Sequence, residues 1–249
     1  MKGLRAAFES LGDIILFAAE TVAWVFRPPW RSELVLQQMA VIGVGSTFIV
    51  AVTGLFAGMV LALQGNYAMR QFGAEGYVGG FVAISLVREL GPVFTGLMVT
   101  GRSGSAITTE LGTMRVTEQI DAMETMAVNA VHYLVVPRVV AATVMMPILA
   151  VVFSGMGYLG GYLIADYVSL IPPGPFIEHT RTMLDIHDIF HGLLKALVFG
   201  TVVSLIATHR GYSASGGARG VGEATTLSVV MSSVAILVLD YVITFLAIG

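Results

Sequence analysis

The chain contains no cysteine, only two lysines (Lys2 and Lys195) and little charge of any kind: Asp, Glu, Lys and Arg together make up 12% of its 249 residues. The first absence excludes disulfides, metal thiolates and thiol catalysis while fitting any compartment. The second excludes the phosphate-binding loop GxxxxGK[ST], because neither lysine follows a glycine, so any dependence on ATP has to come from a partner chain. A net charge of −3 is too small to argue for nucleic acid or another charged partner. Soluble domains are about a quarter charged. This chain is instead 56% hydrophobic with a mean hydropathy of +0.84, which places it in a membrane as a single integral domain, residues 1–249. The first residues lack a short apolar core followed by a small-residue cleavage site, so no removable signal peptide is expected.

Apolar sequence in blocks fills the chain instead. A helix needs about 20 mostly apolar residues to cross a bilayer. Residues 39–63 and 139–165 satisfy that without any charge. Residues 79–100 are interrupted only by Arg88 and Glu89, 189–208 by His191 and Lys195, and 227–248 by Asp240. The expected fold is an all-α integral membrane protein with five transmembrane helices, whose odd number puts the termini on opposite sides. The distribution of Lys and Arg sets the orientation. The segments before span one, between spans two and three, and between spans four and five hold Lys2, Arg5, Arg27, Arg31, Arg102, Arg115, Arg138, Arg210 and Arg219; the other two loops hold only Arg70 and Arg181. The N-terminus is therefore expected on the cytoplasmic side and the C-terminus outside.

Residues 1–30 are not read as a sixth span. Leu4, Phe8, Leu11, Ile15, Val22 and Phe26 recur at helical spacing, with Glu9, Asp13 and Glu20 off that stripe. Such a helix lies in the interface or against the membrane domain until Pro28-Pro29 ends it. Gly54-Leu-Phe-Ala-Gly58 and Gly157-Tyr-Leu-Gly-Gly161 are small-xxx-small patterns that let helices approach closely, within or between subunits.

The longest cytoplasmic connection joins spans two and three. At its centre, Thr113–Val128, the residues Met114, Ile120, Met123, Met126 and Ala127 are interleaved with Arg115, Glu118, Gln119, Asp121 and Glu124. This predicts an amphipathic helix of about four turns, rich in methionine and acid and suited to a groove on another protein. A helix lying on lipid headgroups normally carries more Lys and Arg than this one does. Just before it, Gly101-Arg102-Ser103-Gly104 matches the G-x-S-G of intramembrane serine proteases. That chemistry needs a histidine beside Ser103 inside the membrane, and only His191 and His209 lie near a span, both at the ends of span four. Close helix packing is the preferred reading of these small residues, and a protease is a rival.

The intramembrane charges raise a second question. A charge at the centre of a span costs about 2.5–3.5 kcal/mol. Arg88 and Glu89 fall near the middle of span two, Lys195 a third of the way into span four and Asp240 in the outer half of span five. Two cations and two anions on three spans sum to zero if those helices meet, and the cluster then either locks the bundle or lines a moving interface. Pro92, lacking an N–H, leaves the carbonyl of Arg88 without its helical donor. Another rival follows: an ion-coupled secondary transporter with Glu89 or Asp240 as its proton site, working without ATP.

Taken together, GMVLALQG (58–65), LVRELGPV (86–93), GRSGSAITTELGTMRVTEQIDAMETMAV (101–128), PR (137–138), GY (211–212), GVGEATT (220–226) and LDYVIT (239–244) resemble, in order and spacing, the MlaE/YrbE-type permeases of lipid ABC transporters. One departure is Ala130, where many relatives carry a proline, which bears on how sharply the cytoplasmic helix ends. The resemblance implies a homodimer in the bacterial inner membrane, non-catalytic itself and with no cofactor or metal of its own. It also implies two cytoplasmic ATPase subunits that bind ATP and Mg, often a STAS-domain protein, a periplasmic ring of MCE-domain protein, and glycerophospholipid as substrate. By motif position, residues 112–128 look like the coupling helix. A lipid cavity opening outward would then be lined by Leu61, Tyr67, Met69 and Phe72, at the end of span one and in the hairpin after it.

Overall fold

The apolar blocks form helices considerably longer than a bilayer is thick. A computed structural model describes residues 2–168 and 172–248, with the side chains of residues 2–11 and 248 outside that description. The expectations for Leu4, Phe8 and Leu11 therefore lie outside the described side chains. The helices are α1 (Lys2–Val25), α2 (Ser32–Arg70), α3 (Glu75–Val116), α4 (Gln119–Thr125), α5 (Val131–Tyr167), α6 (Pro173–Met183), α7 (Ile186–Tyr212) and α8 (Gly217–Ile248), and no strand occurs among the described residues. Five of them, α2, α3, α5, α7 and α8, are long and apolar enough to cross a membrane. They alternate in direction, so α4 marks one end of the bundle and α6 the other. With 39 and 42 residues, α2 and α3 each extend about 60 Å, roughly twice the hydrocarbon thickness, and α3 overruns it as a stalk that leads to α4.

The core forms where backbones can touch. In lipid there is no hydrophobic force between helices, so contact depends on close packing and polar bonds. The two small-xxx-small patterns face each other within the chain: a Cβ at Gly58 would overlap the carbonyl oxygen of Gly157, and one at Gly160 would overlap that of Leu55. This contact joins α2 to α5. Gly58→Leu is expected to drive the two helices apart and leave little monodisperse protein in detergent extracts, measured by size exclusion. Wild-type recovery would mean that this contact is dispensable.

Helix α3 opens with a 3-10 turn at Glu75–Tyr77 and then has two π-type turns, at Ser85–Leu90 and Thr100–Gly104. The first π-type turn contains Arg88 and Glu89 and is followed directly by Gly91-Pro92. The Gly91 N–H donates to the carbonyl five residues back, Leu86, which also accepts from Ser154 Oγ at 3.1 Å. The wider turn lets the chain pass Pro92, which has no N–H to give, without ending the helix.

Helix α1 lies against the α4 end. Phe17 contacts His209 and Tyr212 of α7 with ring centroids 5.3 and 5.8 Å apart, and Trp24 stacks on His132 at 5.3 Å. Ile15, Val22 and Phe26, the other part of its apolar stripe, stay exposed. A helix half against protein and half outward is what an interfacial position requires.

Candidate functional site

Arg88, Glu89, Lys195 and Asp240 come together. Lys195 on α7 is fully buried and its Nζ donates to Glu89 Oε2 of α3, to Asp240 Oδ1 of α8 at 2.8 Å and to Thr244 Oγ1 of α8 at 2.6 Å. All three of the ammonium's donors are thereby used. Thr244 Oγ1 also lies 3.3 Å from Glu89 Oε2. Arg88 Nε sits 3.6 Å from Glu89 Oε1, and its Nη1 reaches Asp188 Oδ1 at 3.2 Å. Three helices are thus joined at one ammonium.

Asp188 belongs to the cluster, so its formal sum is two cations against three anions, not zero. The residue escaped notice because it lies one position before the apolar block beginning at 189, in the first turn of α7, where it forms a capping box with Asp185. The spacing Asp185-x-x-Asp188 before an apolar run was the available signal. Within the long helix α3, Arg88 and Glu89 lie to one side of the centre. They are 13 and 14 residues from its start at Glu75 and more than 25 from its end at Val116, so the cluster lies in the half of the bundle nearer α6. Beside it, His191 is buried with neither ring nitrogen bonded.

At the opposite end, the continuous helix expected over 112–128 is broken. Helix α3 continues to Val116, Glu118 takes a left-handed conformation at φ 60°, and α4 spans only Gln119–Thr125. A left-handed residue cannot continue a right-handed helix, and no glycine marked the place. Ile120 is fully buried, while Met114 and Met123 pack against the core. Arg115 bonds Asp121 at 2.6 Å, Glu124 Oε1 accepts from Tyr212 Oη at 2.6 Å, and Gln119 Nε2 donates to Thr117 at 3.0 Å. What remains facing outward is Glu118, Gln119, Asp121, Glu124 and Met126, the last 68% exposed. Helix α4 closes with Ala127 at φ 59°, its N–H bonded to Glu124 O and that of Val128 to Met123 O, a Schellman closure with alanine at the position glycine normally takes. Asn129 Oδ1 then accepts from the His132 N–H and starts α5, so the turn is sharp without the proline that Ala130 replaces. Ala127→Gly is expected to raise stability by about 1 kcal/mol by removing the left-handed penalty, read as a higher Tm in detergent; a lower Tm would contradict it.

This tip is tied to the bundle by polar bonds. Thr108 Oγ1 donates to Ser228 Oγ and lies 3.0 Å from Ala207 O, Thr109 pairs with Thr225 at 3.0 Å, and Glu110 meets the buried Arg138 at 2.9 Å. Ser103, the candidate nucleophile, has Ser46 Oγ at 3.1 Å and Arg102 at 3.4 Å as its partners and no base among them.

Near the α6 end a groove of about 450 Å³ opens between α3, α5, α6 and α7. None of Leu61, Tyr67, Met69 and Phe72 lines it. Leu61 and Met69 pack against the core, while Tyr67 and Phe72 project outward, 75% and 83% exposed. The groove depends on α6, which sequence reading left inside a loop.

The family model for Permease MlaE matches residues 35–246, a range that takes in all five clustered charges, α4 and the groove. The chain belongs to the MlaE permease family. It is 40% identical to the intermembrane phospholipid transport system permease protein MlaE of Haemophilus influenzae over 247 residues, 97% of this chain and 93% of that one. It is 42% identical to a probable ABC transporter permease protein of Rickettsia bellii, covering 95% and 91% of the two chains. The chloroplastic protein TRIGALACTOSYLDIACYLGLYCEROL 1 of Arabidopsis thaliana is 36% identical over 214 residues, 86% of this chain and 61% of the plant protein. As a member of the MlaE family, the chain is a multi-pass membrane protein.

Proposed function

We propose that this chain is the non-catalytic permease subunit of an ABC transporter that moves glycerophospholipid between the inner and outer membranes. The observation that carries the reading is membership of the MlaE family over residues 35–246 in a chain that presents the exposed acids of α4 at the end of a long helix. In this reading the α4 end is cytoplasmic and α6 is periplasmic. The exposed acids and Met126 seat in a groove on each of two ATPase subunits, which hold the ATP and Mg. The Thr108–Ser228 and Glu110–Arg138 contacts pass a displacement of α4 from α3 into α8 and α5. Two copies face each other across an outward-opening lipid cavity. Only 11% of the most apolar stretch of α8 is buried within the chain, which supports α8 as one of the surfaces a second copy covers. The other expected partners are an MCE-domain ring on the periplasmic side and a STAS-domain protein beside the ATPase.

The test is gentle detergent purification from the native host with identification of co-purifying chains, followed by reconstitution. Recovery of an ATPase and an MCE protein, with ATP-dependent lipid transfer, is the expected result. A lone chain that transports along a pH gradient without ATP would establish the secondary-transporter rival instead.

A further inference from the structure

The groove beneath α6 has the chemistry of a lipid site of its own. Its walls are almost wholly apolar: Val87 of α3, Val151 of α5, and Ile189 and Leu193 of α7, with Ile177 of α6 and Leu184 just after it forming the roof. Polar groups gather in one place, on α6 and the facing stretch of α5, where Arg181, Thr180 and Tyr158 line the groove and Tyr158 Oη donates to Thr180 Oγ1 at 3.2 Å. Arg181 has no acid partner: the ion pairs among the described residues engage Arg88, Arg115, Arg138, Lys195 and Arg219, and Asp188, the nearest buried acid on α7, is committed to Arg88 and to the helix cap. An apolar slot of this size with one free guanidinium matches a single acyl chain below and a phosphate above, since the planar fork of arginine pairs with two phosphate oxygens at once. The slot also has room left open. Added Cβ atoms at most helix-packing glycines collide with a neighbour, but at Gly155, which lines the groove, nothing lies within 4 Å.

We propose that this groove holds one acyl chain of a phospholipid, with the phosphate on Arg181, at a site walled by α3, α5, α6 and α7 of a single copy. The proposal rests on the lipid-permease reading and adds to it a peripheral site where lipid is held at the outer-leaflet level.

The probe is dioleoyl phosphatidylglycerol, with dioleoylglycerol as the same chains without phosphate, added to the delipidated chain in detergent and counted by native mass spectrometry. Wild type is expected to retain the phospholipid over the diacylglycerol. Arg181→Gln should lower phospholipid retention about tenfold, the loss of one charge-assisted contact, and Arg181→Lys should restore part of it. Gly155→Leu should abolish retention at this site by filling the slot while leaving Tm unchanged. Equal retention of the two lipids, or no response to Arg181→Gln, overturns the proposal. So does a photo-crosslinker at position 155 that captures a protein helix from the native complex and not lipid. Because the isolated chain is assayed without nucleotide, failure here leaves the ATPase-coupled transport reading standing, and failure of ATPase co-purification leaves this result standing.

Discussion

Replacing Lys195 with leucine is expected to abolish accumulation of the folded protein. The ammonium is fully buried and is the one cation that meets both Glu89 and Asp240. Among the described residues Asp240 has no other ion partner, and Glu89 keeps only the longer contact to Arg88 at 3.6 Å. Removing the buried cation leaves two partly buried carboxylates uncompensated, at a cost of up to about 3–5 kcal/mol. A membrane domain with marginal net stability does not absorb that. Lys195→Arg should be no rescue, because a planar fork cannot reproduce three donors radiating from one nitrogen. Combining Lys195→Leu with Glu89→Gln and Asp240→Asn, by contrast, should recover much of the yield, since the penalty arises from the orphaned carboxylates. The measurement is the monodisperse fraction and Tm after detergent extraction. Lys195→Leu at wild-type yield and Tm would show that the cluster does not hold the bundle. A recovered triple variant that is stable yet inactive in lipid transfer would assign the charges a part in movement as well.

The second large effect is expected at the other end. Glu118→Lys combined with Asp121→Lys should leave insertion and Tm close to wild type. Both side chains are exposed, and the Arg115–Asp121 pair lost by the change is a surface contact contributing at most about 1 kcal/mol. Lipid transfer and its dependence on ATP should nevertheless fall by about tenfold or more, because reversed charges at a docking surface repel the partner they formerly matched. Normal ATP-driven transfer by this variant in proteoliposomes would remove α4 from the coupling role. Reduced transfer with full ATPase binding would place the defect in transmission through Thr108 and Glu110.

The sequence alone was enough to read the membrane class, the five helices and four of the clustered charges, because bilayer thickness and the cost of intramembrane charge act on composition and length. It was weaker wherever geometry depends on one backbone angle or one tertiary neighbour. Glu118 and Ala127 adopt left-handed conformations with side chains that do not advertise them, so a helix that looked four turns long is about half that. Asp188 was hidden by a block boundary drawn one residue late. Helix α6 had a usable start signal in Pro172-Pro173, but an eleven-residue amphipathic helix between two spans has no periodic run long enough to stand out. With α6 unseen, the groove it roofs was also out of view.

Helix α8 is built inside out compared with a helix of a soluble protein. Its buried positions include Ser228 and Ser232, its partners on α3 and α7 are reached through Thr225, Ser228, Asp240 and Thr244, and Leu227, Val234, Leu237, Val238, Tyr241 and Phe245 face away. It is a mast held by two polar collars, one at each end, with about 18 Å of shaft between Ser228 and Asp240 that meets Arg210 of α7 at Met231 Sδ. Water competes for such collars and lipid does not. The grip on α8 should therefore tighten as the surroundings dry and slacken wherever water enters, which makes the wetting of the bundle, beside the apolar contacts of Val221 and Ile236, a quantity that governs how firmly this helix is held.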